Sequence, residues 1–284
     1  MIGYYQVSRI TLSLRFKLFF DNPITPDIIW SLFPPDFSTP WVYGVDGKWL
    51  KRQGVFLIHR NITTKENIFW SYAPSESYLA YYRDMETITK FPKFIFPVGA
   101  VSDWKGSIVA SVSSYLGQIP HQRCLTHVQR TAKNLLPKNS PYPSTLKLRS
   151  IAGQLININS EKEKEGWLSQ LDEWEKEHGY ILTEKTISFD TKHKWWYTHG
   201  NLRRGYNLLS REQKPFFIHL TNPLIPKSNN SVEGVISQVS NKLSDHRGMK
   251  TNQQVSFLSW YMAFSRIKTR RDLKKLWGVW RKKQ

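Results

Sequence analysis

Residues 41–73, WVYGVDGKWLKRQGVFLIHRNITTKENIFWSYA, contain three short runs rich in β-branched and aromatic side chains, separated by turn-forming residues. Such runs predict three sequential antiparallel strands. Asp46 lies inside the first run, where its neighbours on both faces are largely apolar. A buried carboxylate is costly unless something pairs with it, so Asp46 is a candidate functional residue. The alternative is that Asp46 and Gly47 form a hairpin turn, because Asp-Gly is a strong turn signal.

Downstream of these runs the pattern alternates between helix and strand. A strand over 98–102 ends at Asp103 and is followed by a helix that Gly117 closes. Asp103 thus stands at the carboxyl end of a strand, where open α/β sheets place ligand chemistry, and capping of the next helix is its alternative role. The other elements predicted in this half are a helix over 75–91 with Ser75 as N-cap, a short strand from His121, and a helix that stops before Pro137.

The order βββ-α-β-α-β-α predicts an α/β fold with a mixed five-stranded sheet flanked by helices. Beyond it the periodicity becomes helical, with Trp167, Leu168, Leu171 and Trp174 at i, i+1, i+4 and i+7 of an amphipathic helix. The predicted segments are 1–40, a short N-terminal helical linker; 41–136, the first part of the core; 137–225, an all-α insertion; 226–265, the final core helices; and 266–284, a basic C-terminal tail.

A third carboxylate stands in the stretch PKSNNSVEG, residues 226–234. Glu233 falls in the first turn of a predicted helix, where a capping box with Asn230 is the alternative interpretation. Three clustered carboxylates raise one another's pKa, and two divalent cations would remove that conflict. Mg²⁺ suits such all-oxygen ligands. The sequence therefore offers Asp46, Asp103 and Glu233 as one metal-binding set.

The charge balance indicates the kind of partner. Lys and Arg total 41 against 22 Asp and Glu, a formal net charge of +19. This excess favours a polyanion, with nucleic acid before an anionic membrane, over a basic protein without such a partner. The single cysteine, Cys124, excludes an intramolecular disulfide and fits a reducing compartment. No apolar run is long enough to predict a membrane-spanning helix, so no membrane partner is expected.

Four stretches together resemble the Mutator-type transposases of bacterial insertion sequences, which belong to the DDE group. They are YGVDGKWLK at 43–51, VSDWKGSIVASV at 101–112, CLTH at 124–127 and IPKSNNSVEGVISQVSNKLSDHRGMKTNQQ at 225–254. The last is the most specific, although Ser228 stands where the family more often has threonine. Such transposases usually carry a DNA-binding module ahead of the catalytic domain. Only 45 residues precede Asp46 and they contain no cysteine pair, so that module is expected to be reduced to residues 1–40, encoded elsewhere or lost.

The resemblance implies an RNase H-like catalytic domain that cleaves DNA at transposon ends and transfers the strand into target DNA. Asp46, Asp103 and Glu233 would be its catalytic metal ligands for two Mg²⁺ ions, with Mn²⁺ expected to substitute. The implied partners are transposon-end and target DNA and at least one further copy of the chain, in the bacterial cytoplasm with the nucleoid. Two alternatives stay open: a nuclease of the same fold without strand transfer, and a truncated or repurposed DNA-binding remnant without catalysis.

Further residues are candidates for DNA contacts because basic and aromatic side chains are interleaved there. Phosphate contacts are predicted for Lys242 and Arg247, with an exposed helix face as the alternative. Base stacking is predicted for Trp195 and Trp196, with a core position as the alternative for one of them. The remaining candidates are Arg203 and Arg204 beside these tryptophans, and Cys124 and His127 in packing or hydrogen-bonding roles near the active site. For the last two, a zinc site shared with His121 is the alternative, which would need a fourth ligand or a water.

Overall fold

A computed structural model of the 284-residue chain describes residues 9–187, 189, 194–246 and 248–282. The chain folds into two compact units, each with its own hydrophobic core. Unit 1 comprises Met1–Val98, Lys105–Ile119 and Asn230–Gln284, and unit 2 comprises Gly99–Trp104 and Pro120–Asn229.

The predicted three-strand meander is confirmed and forms the sheet of unit 1. Its strands are β1 (Val42–Trp49), β2 (Val55–Asn61) and β3 (Glu66–Ala73). Both pairings are antiparallel, and β2, which lies between the other two, is buried at every position. The β1–β2 turn contains Lys51 and Arg52, which have positive φ values of 48° and 60°. The hairpin therefore turns several residues after Asp46, and the alternative of a turn at Asp46 and Gly47 is wrong.

Helices cover the meander of unit 1. Its core joins Phe56 and Ile58 of β2 to Val232, Val239 and Leu258 of two C-terminal helices. The helices of unit 1 are α1 (Arg9–Asp21), α2 (Pro26–Leu32), α3 (Tyr78–Thr89), α4 (Gly106–Leu116), α10 (Asn230–Ser244), α11 (Thr251–Phe264) and α12 (Arg270–Arg281).

Two predicted helix ends can be compared with the structure. Helix α3 takes Ser77 as its N-cap rather than Ser75, and the hydroxyl oxygen of Ser77 accepts a hydrogen bond from the backbone N–H of Ala80 at 3.2 Å. Helix α4 ends at Gly117, whose φ of 73° suits glycine, so that predicted end is confirmed.

Unit 2 is built around a helical core. Trp167, Leu171 and Trp174 are buried, which confirms the predicted apolar stripe. The indole N–H of Trp174 donates to the Ser144 carbonyl at 2.8 Å, and its ring stacks on Tyr206. The elements of unit 2 are β4 (Gly99–Ser102), β5 (His121–Arg123), α5 (Leu125–Leu135), α6 (Pro143–Gln154), α7 (Glu161–His178), β6 (Lys185–Ile187), β7 (Trp195–Tyr197), α8 (Gly200–Ser210) and α9 (Ile218–Thr221).

The prediction of an all-α insertion over 137–225 is wrong in one respect. Strands β6 and β7 form a two-stranded antiparallel sheet, in which Lys185 faces Tyr197 and Ile187 faces Trp195. Their β-branched and aromatic residues favour strands, and this local preference prevails over the helical pattern around them.

Strands β1 to β5 form one sheet with the order β3-β2-β1-β4-β5. Because β1, β2 and β3 are antiparallel while β4 and β5 are parallel, the sheet is mixed. The predicted α/β class with a five-stranded mixed sheet flanked by helices is thus confirmed. Among the described residues, every helix is either too short or too polar to cross a membrane.

Candidate functional site

Asp46 occupies the middle of strand β1. It lies opposite Ile58 of β2, and its side chain is half-buried. One carboxylate oxygen, Oδ1, accepts a hydrogen bond from the backbone N–H of Gly47 at 2.7 Å. The pairing of β1 with β2 is regular from Tyr43 to Trp49. This register fixes the direction of the Asp46 side chain, because alternate residues of a strand point to opposite faces.

Glu233 lies in the first turn of α10 and is also half-buried. Helix α10 packs on β1 and β2 through Val232 and Val235, which share a core cluster with Ile58. Residues directly opposite each other in a ladder project to the same face of the sheet, so Asp46 projects to the face that Ile58 occupies. Within unit 1, Asp46 and the helix that carries Glu233 therefore lie on the same side of the meander.

Asp103 belongs to unit 2 and directly follows β4. The N-cap residue of α4 is Lys105, so Asp103 is not the cap of that helix and its alternative role is wrong. Burial lowers the pKa of His121 to about 4, and the negative charge of Asp103 acts in the opposite direction. Burial likewise lowers the pKa of Arg123, opposed by the charges of Glu212 and Asp103. Asp103 thus interacts electrostatically with His121 and Arg123 within its own unit.

A hydrogen-bonded cluster surrounds this position in unit 2. Ser102 Oγ and His121 Nε2 are 2.9 Å apart, and the indole of Trp104 lies against the His121 ring with centroids 4.8 Å apart. The Trp104 indole N–H donates to Glu212 Oε2 at 3.0 Å, while its backbone has a φ of 69°. A positive φ is uncommon for a bulky residue and is a mark of strain. The chain immediately after Asp103 is therefore held by specific side-chain contacts.

Cys124 and His127 stand at the start of α5. Cys124 is fully buried, and its Sγ accepts a hydrogen bond from the backbone N–H of Asn229 at 3.2 Å. The N–H of Leu125 donates to the Lys227 carbonyl at 3.0 Å. These contacts join the start of α5 to the segment that leads to α10, while His127 is half-buried in the first turn of α5. Cys124 thus hydrogen-bonds to the segment before α10, and its position near an active site stays a prediction.

Sequence reasoning missed Glu76. Its side chain is 7 % exposed and forms an ion pair with Lys105. Its Oε1 atom lies against Gly47, the residue that follows Asp46. No local pattern singles out Glu76, because a carboxylate two residues before a helix N-terminus resembles an ordinary exposed acid.

The predicted DNA-binding residues have different surroundings. Lys242 is exposed in the last turn of α10, and Arg204 is exposed on α8, whereas Arg247 lies outside the described residues. Arg203 is engaged inside unit 2, where it donates to the Leu182 carbonyl at 3.0 Å and lies over the Tyr197 ring at 4.1 Å.

Trp195 and Trp196 are 46 % and 50 % exposed, so neither occupies a core position. They are successive residues of β7 and project to opposite faces. Lys185 Nζ lies 4.1 Å from the Trp195 ring centroid. The two indoles therefore present separate surfaces, and a single base cannot stack on both.

The donor chemistry of the predicted metal set can be compared with the structure. Asp46, Asp103 and Glu233 offer only carboxylate oxygens, which Mg²⁺ prefers. Within residues 9–187, 189, 194–246 and 248–282, no group of three or more His, Cys, Asp or Glu side chains is arranged to hold a metal ion. Comparison of the chain with protein-family models gives no match, and comparison with curated proteins gives no significant similarity.

Proposed function

We propose that this chain is the catalytic part of a DDE-type DNA transposase with an RNase H-like fold. One observation carries the proposal. The first strand of an antiparallel meander bears Asp46, and α10, which bears Glu233, packs on the same face of that strand. The strand order β3-β2-β1-β4-β5 also supports an RNase H-like assignment, because it extends the meander by strands joined through helices.

The proposed substrate is DNA. The net charge of +19 favours a polyanionic partner, and exposed basic residues such as Lys242 and Arg204 are suited to phosphate contacts. The reaction class is hydrolysis of a phosphodiester at the transposon end, followed by attack of the freed 3′-hydroxyl on target DNA. Because two ends must be held together, we propose that at least two copies act, in the cytoplasm of a bacterium and in association with its DNA.

In this proposal the chain contributes carboxylates rather than a protein nucleophile. Asp46, Asp103 and Glu233 would hold two Mg²⁺ ions, which would stabilise the charge on the attacking and leaving oxygens. The meander fixes the direction of Asp46, the contacts of Trp104 fix the chain after Asp103, and α10 fixes Glu233. The proposal requires all three carboxylates to reach the same ions once metal and DNA are bound.

The test is a strand-transfer assay with labelled donor ends and supercoiled target DNA, with Mg²⁺, with Mn²⁺ and with EDTA. The proposal expects metal-dependent cleavage and joined donor–target products. Cleavage without joined products would identify a nuclease of the same fold. Salt-sensitive DNA binding without cleavage in either metal would identify a non-catalytic DNA-binding protein and overturn the proposal.

A further inference from the structure

Helix α12 is fixed in unit 1 by one of its faces. A capping box begins it: Thr269 Oγ accepts from the N–H of Asp272, whose carboxylate accepts from the N–H of Thr269. Leu276 and Trp280 are buried. The Trp280 ring stacks on Phe19 with centroids 4.8 Å apart, and its N–H donates to the Asn22 carbonyl at 2.9 Å. The main apolar face of the helix is therefore occupied by its own unit.

A second face of α12 borders an open groove of about 620 Å³. The floor is apolar: Leu273 is 42 % exposed, Phe264 at the end of α11 is 46 % exposed, and Trp277 is half-buried. A Cβ atom on Gly278 would have no heavy atom within 4 Å, so the space above this glycine is empty. The residues that line the groove are Phe264, Leu273, Lys274, Trp277, Gly278 and Arg281.

The rim of this groove is strongly basic. Lys274 and Arg281 border it, and the Arg281 guanidinium carbon lies 5.5 Å from the Trp277 ring centroid. Asp272 is the one acid of α12, and its carboxylate is already engaged by backbone N–H groups. The exposed cations on and next to the helix are Arg270, Arg271, Lys274, Lys275, Arg281 and Lys282.

We propose that this groove binds an unpaired nucleobase of a single-stranded nucleic acid. An aromatic floor with cations at its edge is the combination that single-strand binding proteins use, because the base stacks while the cations contact the flanking phosphates. The Trp277 ring packs against Trp280 and Phe19, with centroids 4.9 Å and 5.5 Å apart, and the Arg281 guanidinium lies over it. In this proposal the Arg281 side chain moves from the ring to a flanking phosphate, so that the base takes its place on Trp277, and Lys274 supplies the second cation. Duplex DNA does not fit this role, because the faces of its bases are already stacked.

Two other occupants are less compatible with the same observations. Membrane binding by a basic amphipathic helix requires a broad free apolar face, but Leu276 and Trp280 of α12 are buried in unit 1, and the groove offers only Leu273 and the half-buried Trp277 of this helix. Pairing with a second copy of the groove would bring two sets of like charges together. A single-stranded nucleic acid is complementary to both parts of the groove, because its phosphates match the basic rim and its flat bases match the aromatic floor.

The inference rests on the proposed function only for its nucleic-acid partner. It adds a binding site away from the three carboxylates, which takes single-stranded rather than duplex nucleic acid and contacts it by base stacking. Strand transfer at staggered positions of the two target strands leaves single-stranded gaps beside the joined ends, and these would be natural ligands of such a groove.

The experiment uses the full chain and a labelled oligo-dT of about 15 nucleotides, with binding followed by fluorescence anisotropy. Gly278→Leu fills the empty space above the helix, whereas Gly278→Ala is the matched control that leaves most of it open. Because stacking on one aromatic ring contributes at least about a fivefold affinity, Gly278→Leu is expected to weaken binding at least fivefold. Gly278→Ala is expected to stay within about twofold of the wild type. Equal affinities in all three proteins would overturn the inference.

A second measurement needs no variant. Photocrosslinking of the wild type to an oligonucleotide that carries 5-iodouracil, followed by mass spectrometry, is expected to label Trp277. Labelling confined to other parts of the chain would overturn the inference. It would also be overturned if Gly278→Leu left oligo-dT binding intact but abolished binding to phosphatidylserine vesicles or self-association on a sizing column. If the wild type labels at Trp277 but shows no metal-dependent cleavage in the strand-transfer assay, the proposed catalysis is refuted and the groove inference stands.

Discussion

The carboxylate of Glu76 fills the space above the α-carbon of Gly47, the residue that follows Asp46 in β1. A Cβ atom on Gly47 would overlap Glu76 Oε1 and would stand 2.6 Å from Val55 Cγ2. Gly47 has an ordinary strand conformation, so the reason for glycine here is packing rather than a positive φ. Glu76 in turn forms an ion pair with Lys105 at the start of α4. The strand that carries Asp46 is thus fitted closely to its neighbours.

Gly47→Ala is therefore expected to destabilise the protein, because the added methyl group must displace a buried carboxylate or the side chain of Val55. Overpacking of this kind costs about 1–3 kcal/mol. The free energy of unfolding, measured by urea denaturation, checks this. Gly278→Ala in α12 is the control: its Cβ meets no neighbour, and replacing a helical glycine should raise stability by up to about 1 kcal/mol. Equal stability changes in the two variants would contradict the packing argument.

A pH dependence follows from His121, whose pKa is lowered by burial to about 4. In the unfolded chain the ordinary pKa is about 6.5, so the unfolded state binds a proton at a higher pH than the folded state does. The contribution of His121 to the free energy of unfolding should therefore be constant above pH 6.5. It should fall by about 3 kcal/mol in total as the pH drops from 6.5 towards 4.

Substitution of this residue isolates its share of the pH dependence. His121→Gln keeps a neutral polar side chain beside Ser102 but cannot titrate. The variant's unfolding free energy, measured from pH 7 to pH 4.5, is expected to fall less steeply than that of the wild type. Parallel curves for the two proteins would show that His121 does not carry the effect.

Local patterns predicted the elements that depend on local chemistry. The meander follows from its β-branched and aromatic runs, and the end of α4 follows from Gly117, because only glycine adopts its φ of 73° without strain. The stripe of Trp167, Leu171 and Trp174 was visible because its spacing matches the helical period. The position of Glu233 in the first turn of α10 was visible for the same reason.

Features that depend on distant contacts were not predictable. Glu76 is important only because the fold places it over Gly47, and nothing in either neighbourhood shows this. The β1–β2 turn uses Lys51 and Arg52 at positive φ, where a turn prediction seeks glycine or asparagine. The hydrogen bond of Ser102 with His121 likewise joins two strands across 19 positions of sequence.

A buried polar network in unit 1 gives a further prediction. The Tyr43 hydroxyl is 2.7 Å from His59 Nδ1, and His59 Nε2 is 2.8 Å from Asp84 Oδ2. Tyr43→Phe removes one hydrogen-bonding partner of a fully buried imidazole, at a cost of roughly 1–3 kcal/mol. Tyr72→Phe is the matched control, since its hydroxyl donates to the Gln53 carbonyl in an exposed position. Urea unfolding of both variants measures the difference, and similar losses would argue against a special role of burial.

Lys242 gives a prediction for DNA binding. Replacement of one phosphate-contacting lysine by alanine lowers affinity similarly for all sequences and reduces the slope of log K against log salt by about 1. We expect this for Lys242→Ala in anisotropy titrations with duplex DNA over a series of salt concentrations. Lys176→Ala is the control, because Lys176 is an exposed lysine among the acidic residues of α7. An unchanged slope for Lys242→Ala would remove Lys242 from the DNA contacts.

The proposed metal ligands give the last prediction. Asp46→Asn, Asp103→Asn and Glu233→Gln each replace a carboxylate by an amide of the same shape, which removes a negative charge while preserving volume. Metal ions contribute several kcal/mol of transition-state stabilisation in such reactions, so each variant should lose cleavage by roughly a thousandfold or more.

These variants should still bind DNA with the salt dependence of the wild type, because the basic surface is untouched. Glu177→Gln is the control for removal of one negative charge, since Glu177 is an exposed residue of α7 that pairs with Lys147. Its Mg²⁺-dependent cleavage should equal that of the wild type. Full activity in any one of the three carboxylate variants would show that its residue holds no essential metal ion, and the three-carboxylate mechanism would then have to be abandoned.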